Sequence, residues 1–325
     1  MEPLVLFFIL IPIGIGVGIL AAITGLGGGV LMVPILTFGI FSFYQEPVLA
    51  ILGLTVPETE ILMVYATTIS STVIIFTGLS GTIAYSFQKR IDYVVGLISA
   101  VFTIGGAFLG KSTQVKSELA VAIFFAVLLL LTAIRMTYKV VASKREEQSV
   151  EPMSVPNPVE SGDHEENQQP VQEPSRLALF LDKLILKRDI TDNSGEHWAY
   201  NAKLYLTPFA FLGGFVAGMA GVGGGIVMVP VLHILIGLPM HFSVATSAFI
   251  MIFTKVSTLI TAYTNPHIVT TGIWWPFVAG LAIGIIAGAQ IGARLARRIK
   301  ADPLKLIFAI LLFAVAIWTI VGLFI

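Results

Sequence analysis

Residues 4–22, 61–79, 93–110, 119–134, 204–222 and 268–293 each run without a single charged side chain. A run of this length spans, or nearly spans, a bilayer core of roughly 30 Å at about 1.5 Å per residue. Hydrocarbon offers no partner to a backbone N–H or C=O, so a crossing segment must be a helix or part of a closed barrel. The runs are continuous rather than alternating with period two, which selects helices. Charged residues make up only 12% of the chain, about half the share of an ordinary soluble domain. Too few remain to cover a water-facing surface. No Lys or Arg precedes residues 4–22 and the same pattern returns near 204, so the first run is expected to be a span and not a cleaved leader.

The chain repeats itself. Residues 25–36, GLGGGVLMVPIL, return as residues 221–232, GVGGGIVMVPVL, with eight of twelve positions identical and four aliphatic swaps. Ala66-Thr67-Thr68 is answered by Ala245-Thr246-Ser247, and Gly106-Ala107 with Gly110 by Gly288-Ala289 with Gly292. Such internal similarity marks a duplicated unit. Each half divides into five apolar segments, at 4–22, 30–43, 60–79, 91–110 and 118–138, then at 204–222, 226–238, 242–264, 268–293 and 304–325. The second of each set is short and holds Pro34 or Pro230, which leaves open whether segments one and two are full spans or a re-entrant hairpin.

An odd number of crossings per unit places the two copies in opposite orientation. With both termini outside, sixteen of the 19 Lys and Arg fall on the inner side, including Lys89, Arg90 and the cluster from Arg294 to Lys305. Lys111 and Lys116 fall outside and Lys255 within a span, the asymmetry expected of cytoplasmic loops. The fold class that follows is an all-α polytopic membrane protein of two inverted five-segment repeats with glycine-interrupted helices. It comprises repeat 1 at 1–138, a cytoplasmic linker at 139–203 and repeat 2 at 204–325. The linker's Pro, Glu, Gln and Ser content predicts disorder over 146–174. Leu177, Phe180, Leu181, Leu184 and Ile185 share one face of an amphipathic helix expected near 175–188, lying on the inner leaflet or on the protein's own loops.

Cysteine is absent and the net charge is zero. A thiol nucleophile or thiolate metal site is thereby excluded, and no basic stripe exists to track nucleic acid. No Lys-Ser or Lys-Thr follows the glycines as in a phosphate-binding loop, so ATP is not implied, and no cofactor or metal is expected.

Gly25, Gly27, Gly28 and Gly29, with Gly221, Gly223, Gly224 and Gly225, interrupt apolar segments where lipid tolerates no unpaired backbone. Two readings stand side by side: amides turned toward an anion at a helix N-terminus, or close helix packing through glycines four apart. Lys255 lies roughly 12 and 19 Å from the ends of its segment, beyond an easy snorkel, which marks a substrate or ion pathway, the alternative being a structural pair or a span tilted so that it reaches water. Thr67, Thr68, Thr246 and Ser247, fixed by the repeat, are candidate hydroxyl ligands. His233 and Gln290 are secondary candidates, and Arg294 opens a basic cluster expected to anchor the inner interface.

The doubled glycine motif ending in Met-Val-Pro, the Ala-Thr-Thr or Ala-Thr-Ser entry to the third segment and Gly-Ala-x-x-Gly in the fourth resemble the TauE/SafE family of sulfite exporters. The likeness covers both halves, and the linker is longer than the family's core pattern needs. The resemblance implies a plasma-membrane permease, not an enzyme, that exports sulfite, an organosulfonate or another small sulfur-containing anion. A passive anion channel, or a permease for another small anion or thiol, is the alternative. A membrane enzyme or sensor finds no paired carboxylates within a span.

Overall fold

The computed structural model describes residues 3–36, 59–113, 183–221, 224–264 and 275–322, with isolated helical positions between 127 and 138. Its helices are α1 (Pro3–Thr24), α2 (Gly29–Pro34), α3 (Thr59–Phe87) and α4 (Tyr93–Thr113), then, after a hairpin, α5 (Ala210–Ala220), α6 (Gly225–Pro230), α7 (Met240–Thr264), α8 (Trp275–Arg298) and α9 (Ala301–Gly322). A 3₁₀ turn, Leu204–Phe209, leads into α5, and a π-helical turn, Val231–Ile236, continues α6. Five helices among the described residues are long and apolar enough to cross a membrane: Phe7–Thr24, Thr67–Phe87, Tyr93–Thr113, Met240–Thr264 and Val278–Arg298. The chain is therefore a mostly helical, multi-pass membrane protein. The segment at 118–138 and residues 37–43 lie mostly or wholly outside the described residues.

Apolar side chains lie on the surface as well as in the core, and many polar ones are buried. Leu97, Val101, Phe108, Ile260 and Ile310 are exposed on helix surfaces, whereas Thr67, Ser71, Ser99, Thr103, Thr246, Ser247, Lys111 and Lys255 are buried. Apolar side chains face hydrocarbon at no cost, and the polar ones find partners only inside.

Glycine decides which helices meet. A Cβ on Gly284, Gly288 or Gly292 of α8 would overlap the carbonyls of Ile11, Ile15 and Ile19 on α1. On α4, a Cβ at Gly106 or Gly110 would overlap the carbonyls of Phe211 and Phe215 on α5. Bare backbone is what lets each pair approach so closely. The exchange is reciprocal, because the first segment of each half packs on the fourth segment of the other. The third segments, α3 and α7, pack on each other, α3 also on α8 and α7 also on α4. Grouped by the two glycine seams, α1, α2, α3 and α8 form one body and α4, α5, α6 and α7 the other, with α3 and α7 packing across the two as closely as α7 packs on α4.

The all-helical expectation fails at the end of the linker. Strands β1 (Ile185–Thr191) and β2 (His197–Lys203) form an antiparallel hairpin, with Ile185 opposite Lys203 and Thr191 opposite His197. Residues 185–188 of the expected amphipathic helix are thus a strand, and 175–182 lie outside the described residues, as does the region 146–174 read as disordered. The turn chemistry explains the strand. Asp192 Oδ1 accepts from Ser194 N, Ser194 Oγ and Glu196 N at 2.8, 2.7 and 3.1 Å, and Gly195 takes a left-handed φ of 84°. A self-bonding Asp followed by Gly closes a tight reversal and commits the flanking chain to pairing.

The hairpin is tied to the loop between α3 and α4. Buried Arg90 donates to Asp192 Oδ2 at 2.6 and 2.9 Å, while Arg188 and the Tyr200 hydroxyl reach Asp92 at 3.2 and 3.0 Å. Trp198 and Tyr200 lay their rings against Phe242 at the start of α7. Burial pushes the Tyr200 hydroxyl up, and the neighbouring Asp92 carboxylate pushes it further. Burial also pushes the Asp192 carboxyl up, but hydrogen bonds from Ser194 and Arg90 outweigh it and hold the group well below the usual carboxylate range. The loop 88–92, the hairpin, the start of α7 and the end of α8 accordingly share one end of the bundle, where Gln88 also donates to Ala293 O at 3.1 Å.

Asp192→Ala strands a buried guanidinium, a loss of about 3–5 kcal/mol. Its expected signature is faster proteolysis of the hairpin and a lower melting temperature in detergent. Because the folded carboxyl titrates below its unfolded counterpart, the pair stabilises fully above the ordinary carboxylate pKa of about 3.9. That contribution fades as pH falls toward the folded value. Acid titration of Trp198 fluorescence is expected to report hairpin release only below about pH 4 in the wild type, and no such transition in Asp192→Ala.

Candidate functional site

The two glycine stretches touch. A Cβ on Gly225 would overlap the Gly25 carbonyl oxygen and lie 2.7 Å from Leu26 Cα. Equivalent positions share a conformation: Gly25 and Gly221 have φ of 72° and 65°, Gly28 and Gly224 of 73° and 66°. Left-handed backbone is open to glycine and strained for other residues, which accounts for the repeated motif. Gly28 and Gly224 cap α2 and α6 with no side-chain bond, leaving the first turn of each helix uncapped by any side chain. In the first stretch the Gly28 carbonyl accepts from Leu31 and Met32 at 3.1 and 2.8 Å, and the Gly224 carbonyl accepts from Val227 and Met228 at 3.2 and 2.9 Å. Gly27 has φ of 79° and Gly29 is buried beside it. Gly223 lies outside the described residues.

The stretches differ in their surroundings. Around Gly25 the neighbour is Ser247, whose hydroxyl donates to the Gly25 carbonyl at 2.9 Å and to Val244 O at 2.8 Å. Around Gly221 it is Thr67, whose side chain a Cβ there would overlap. Two lysines join Thr67. Lys111 Nζ donates to Thr67 Oγ1 at 3.3 Å, and Lys255 Nζ donates to Ala217 O at 3.2 Å and approaches Ser71 Oγ at 3.5 Å. Thr67 and Ser71 stand one turn apart on α3, so both ammoniums converge on one helix face. Both lysines are fully buried, and among the described residues no carboxylate lies within ion-pair distance of Lys255.

Of the residues singled out from sequence, the structure gathers Gly221, Gly224, Gly225, Thr67 and Lys255 into one region. Thr68, also buried, accepts from Thr72 Oγ1 at 3.0 Å through its carbonyl. Ser247 bonds Gly25, whose carbonyl oxygen meets Gly225, so these two form a second point that adjoins the first through Gly225. Ala248, next to Ser247, meets Gly81, fourteen residues and roughly 21 Å along α3 from Thr67. Thr246 accepts from Asp92 N at 3.1 Å, at the hairpin end of the bundle. Lys111 was placed by the sequence in an outer loop, one residue beyond a span ending at 110. It is instead a buried residue of α4, which continues to Thr113. The one available signal was that a lysine directly after a Gly-Ala-x-x-Gly packing motif is carried by that motif's own helix.

Buried lysines of α4 and α7 meeting hydroxyls of α3 thus lie inside a multi-pass membrane protein. Residues 10–319 match the sulfite exporter TauE/SafE family, and the chain belongs to that family. It is 25% identical over 310 residues to the probable membrane transporter protein YunE of Bacillus subtilis, covering 94% of each chain. It is 26% identical over 320 residues to a probable membrane transporter protein of Methanocaldococcus jannaschii, covering 96% of this chain and 94% of that one. No solved structure matches.

Gly225→Ala is expected to cost about 1–3 kcal/mol through overpacking against Gly25 and Leu26. Gly16→Ala and Gly105→Ala, whose new methyls meet nothing within 4 Å, are expected to be neutral or stabilising by up to about 1 kcal/mol. Thermal unfolding in detergent ranks the three.

Proposed function

We propose that the chain is a secondary transporter exporting a small sulfur-containing anion, sulfite or an organosulfonate, across the plasma membrane. The observation that carries this reading is the convergence of Lys111 and Lys255 on the Thr67–Ser71 face of α3, beside the second glycine turn. Two ammoniums in a medium of low dielectric favour a compact anion strongly. The uncapped start of α6 adds backbone N–H groups to the same region. A sulfonyl group, with several oxygens about one centre, suits donors arriving from different directions.

Orientation follows from the basic residues: the end bearing the hairpin, Arg90 and the Arg294 cluster is cytoplasmic, and the two repeats are inverted. The lysines come from α4 and α7, and the hydroxyls facing them from α3. The anion therefore sits between the two bodies, and rocking one against the other would open the site to either side. Full burial of both ammoniums supports this alternating access over a continuously open pore.

Efflux of labelled sulfite from proteoliposomes tests the reading. The wild type is expected to give saturable, gradient-coupled flux. Lys255→Ala and Lys111→Ala are each expected to lower flux at subsaturating sulfite roughly tenfold to a hundredfold, the worth of one charge-assisted hydrogen bond. Unchanged flux in both variants removes the lysines from the mechanism, and unitary currents in a planar bilayer would establish a channel instead.

A further inference from the structure

A cleft of about 320 Å³ lies where α3 and α8 end, walled in part by Asn193 of the hairpin turn. Arg294 and Arg297, three residues apart on one face of α8, line it and are exposed. No described carboxylate pairs with either guanidinium, since the ion pairs of this end engage Arg90 and Arg188. The neutral wall is largely committed: Gln290 donates to Ser80 O and Oγ at 2.9 and 3.0 Å, and Gln88 Nε2 donates to Ala293 O. Gln88 Oε1, by contrast, is buried with no partner. The cleft thus offers two guanidinium forks and one vacant acceptor, the complement of an anionic phosphate that carries a hydroxyl.

Position identifies the source. The spans Thr67–Phe87 and Val278–Arg298 both finish here, which sets the cleft at headgroup depth. Ile83 and Phe87, one turn apart on α3, are exposed by 53% and 76% and form an apolar ridge leading from the cleft along the lipid-facing surface. A soluble phosphate ester would leave that ridge bare, whereas an acyl chain would cover it. We propose that this cleft binds the headgroup phosphodiester of an anionic, hydroxyl-bearing phospholipid such as phosphatidylglycerol. The site is separate from the buried lysines and stands whatever the transported substrate.

The test uses the full-length protein in detergent, titrated with phosphatidylglycerol, phosphatidylcholine or soluble glycerol 1-phosphate, and read by native mass spectrometry and thermal unfolding. The wild type is expected to retain and be stabilised by phosphatidylglycerol alone. Arg294→Gln/Arg297→Gln is expected to weaken that binding roughly thirtyfold, each interfacial arginine contributing about a factor of five. Arg298→Gln, which removes one charge outside the cleft lining and matches Arg294→Gln alone, is expected to leave it intact. Should the double variant fail to purify, Arg294→Gln alone against Arg298→Gln reads the same difference. Equal loss in Arg298→Gln, or equal retention of phosphatidylcholine, overturns the site. Stabilisation by glycerol 1-phosphate matching that by the lipid overturns the lipid assignment.

Discussion

Contact between bare backbones at glycine is the interaction on which this molecule depends. In lipid, apolar side chains gain nothing by leaving hydrocarbon for one another, so helices associate through close van der Waals approach and internal polar bonds. The seams of α1 with α8 and α4 with α5 supply the first of these. Each is lined by glycines spaced four apart whose missing Cβ atoms are replaced by the partner's carbonyls. Because each seam joins segments from different halves of the sequence, neither half is closed without the other. Each half of the sequence is thus packed on the other through both seams.

That exchange governs where charge can be placed. Lys111 arrives on α4 and Lys255 on α7, both within one body, while the hydroxyls of Thr67 and Ser71 belong to the other. Lys255 has no carboxylate within ion-pair distance among the described residues, and a buried ammonium so placed is costly. On the function proposed above, its counter-charge is the visiting anion. The two repeats do not contribute equally, because Phe76 and Ala293 occupy the repeat positions that answer Lys255 and Lys111. Symmetry of backbone, with paired left-handed glycines, therefore coexists with asymmetry of chemistry.

The legible parts of the fold were those written in local pattern. Charge-free runs marked four of the five described spans, and the isolation of Lys255 within the apolar segment 242–264 pointed to its burial. Lys111 escaped because segment boundaries drawn from hydropathy end at the first charge, whereas the helix ends where its packing ends. The hairpin escaped for a different reason. Leu181, Leu184 and Ile185 fit a helical face, and the competing evidence lay downstream in Asp192-Asn193-Ser194-Gly195, a turn signal that outweighs apolar spacing once the strands find Phe242 and Asp92 to pack on. The pairing of first with fourth segments across the halves was not readable at all, since glycine spacing says that a face is packed but not against which partner.

The seams also bear on how such a molecule can move. Sliding one sequence half past the other would pull α1 from α8 and α4 from α5 at once, exposing carbonyl-to-glycine contacts that nothing in lipid replaces. Motion between the bodies leaves both seams intact and disturbs mainly the α3–α7 contact, the touching glycine turns and the bonds from the lysines to α3. The loop 88–92 is one covalent joint between the bodies, and the hairpin grips it through Arg90 and Asp92 while its rings rest on α7. Displacement at that joint is resisted by the buried Asp192, which ties Arg90 of the loop to the turn of the hairpin through its hydrogen bonds.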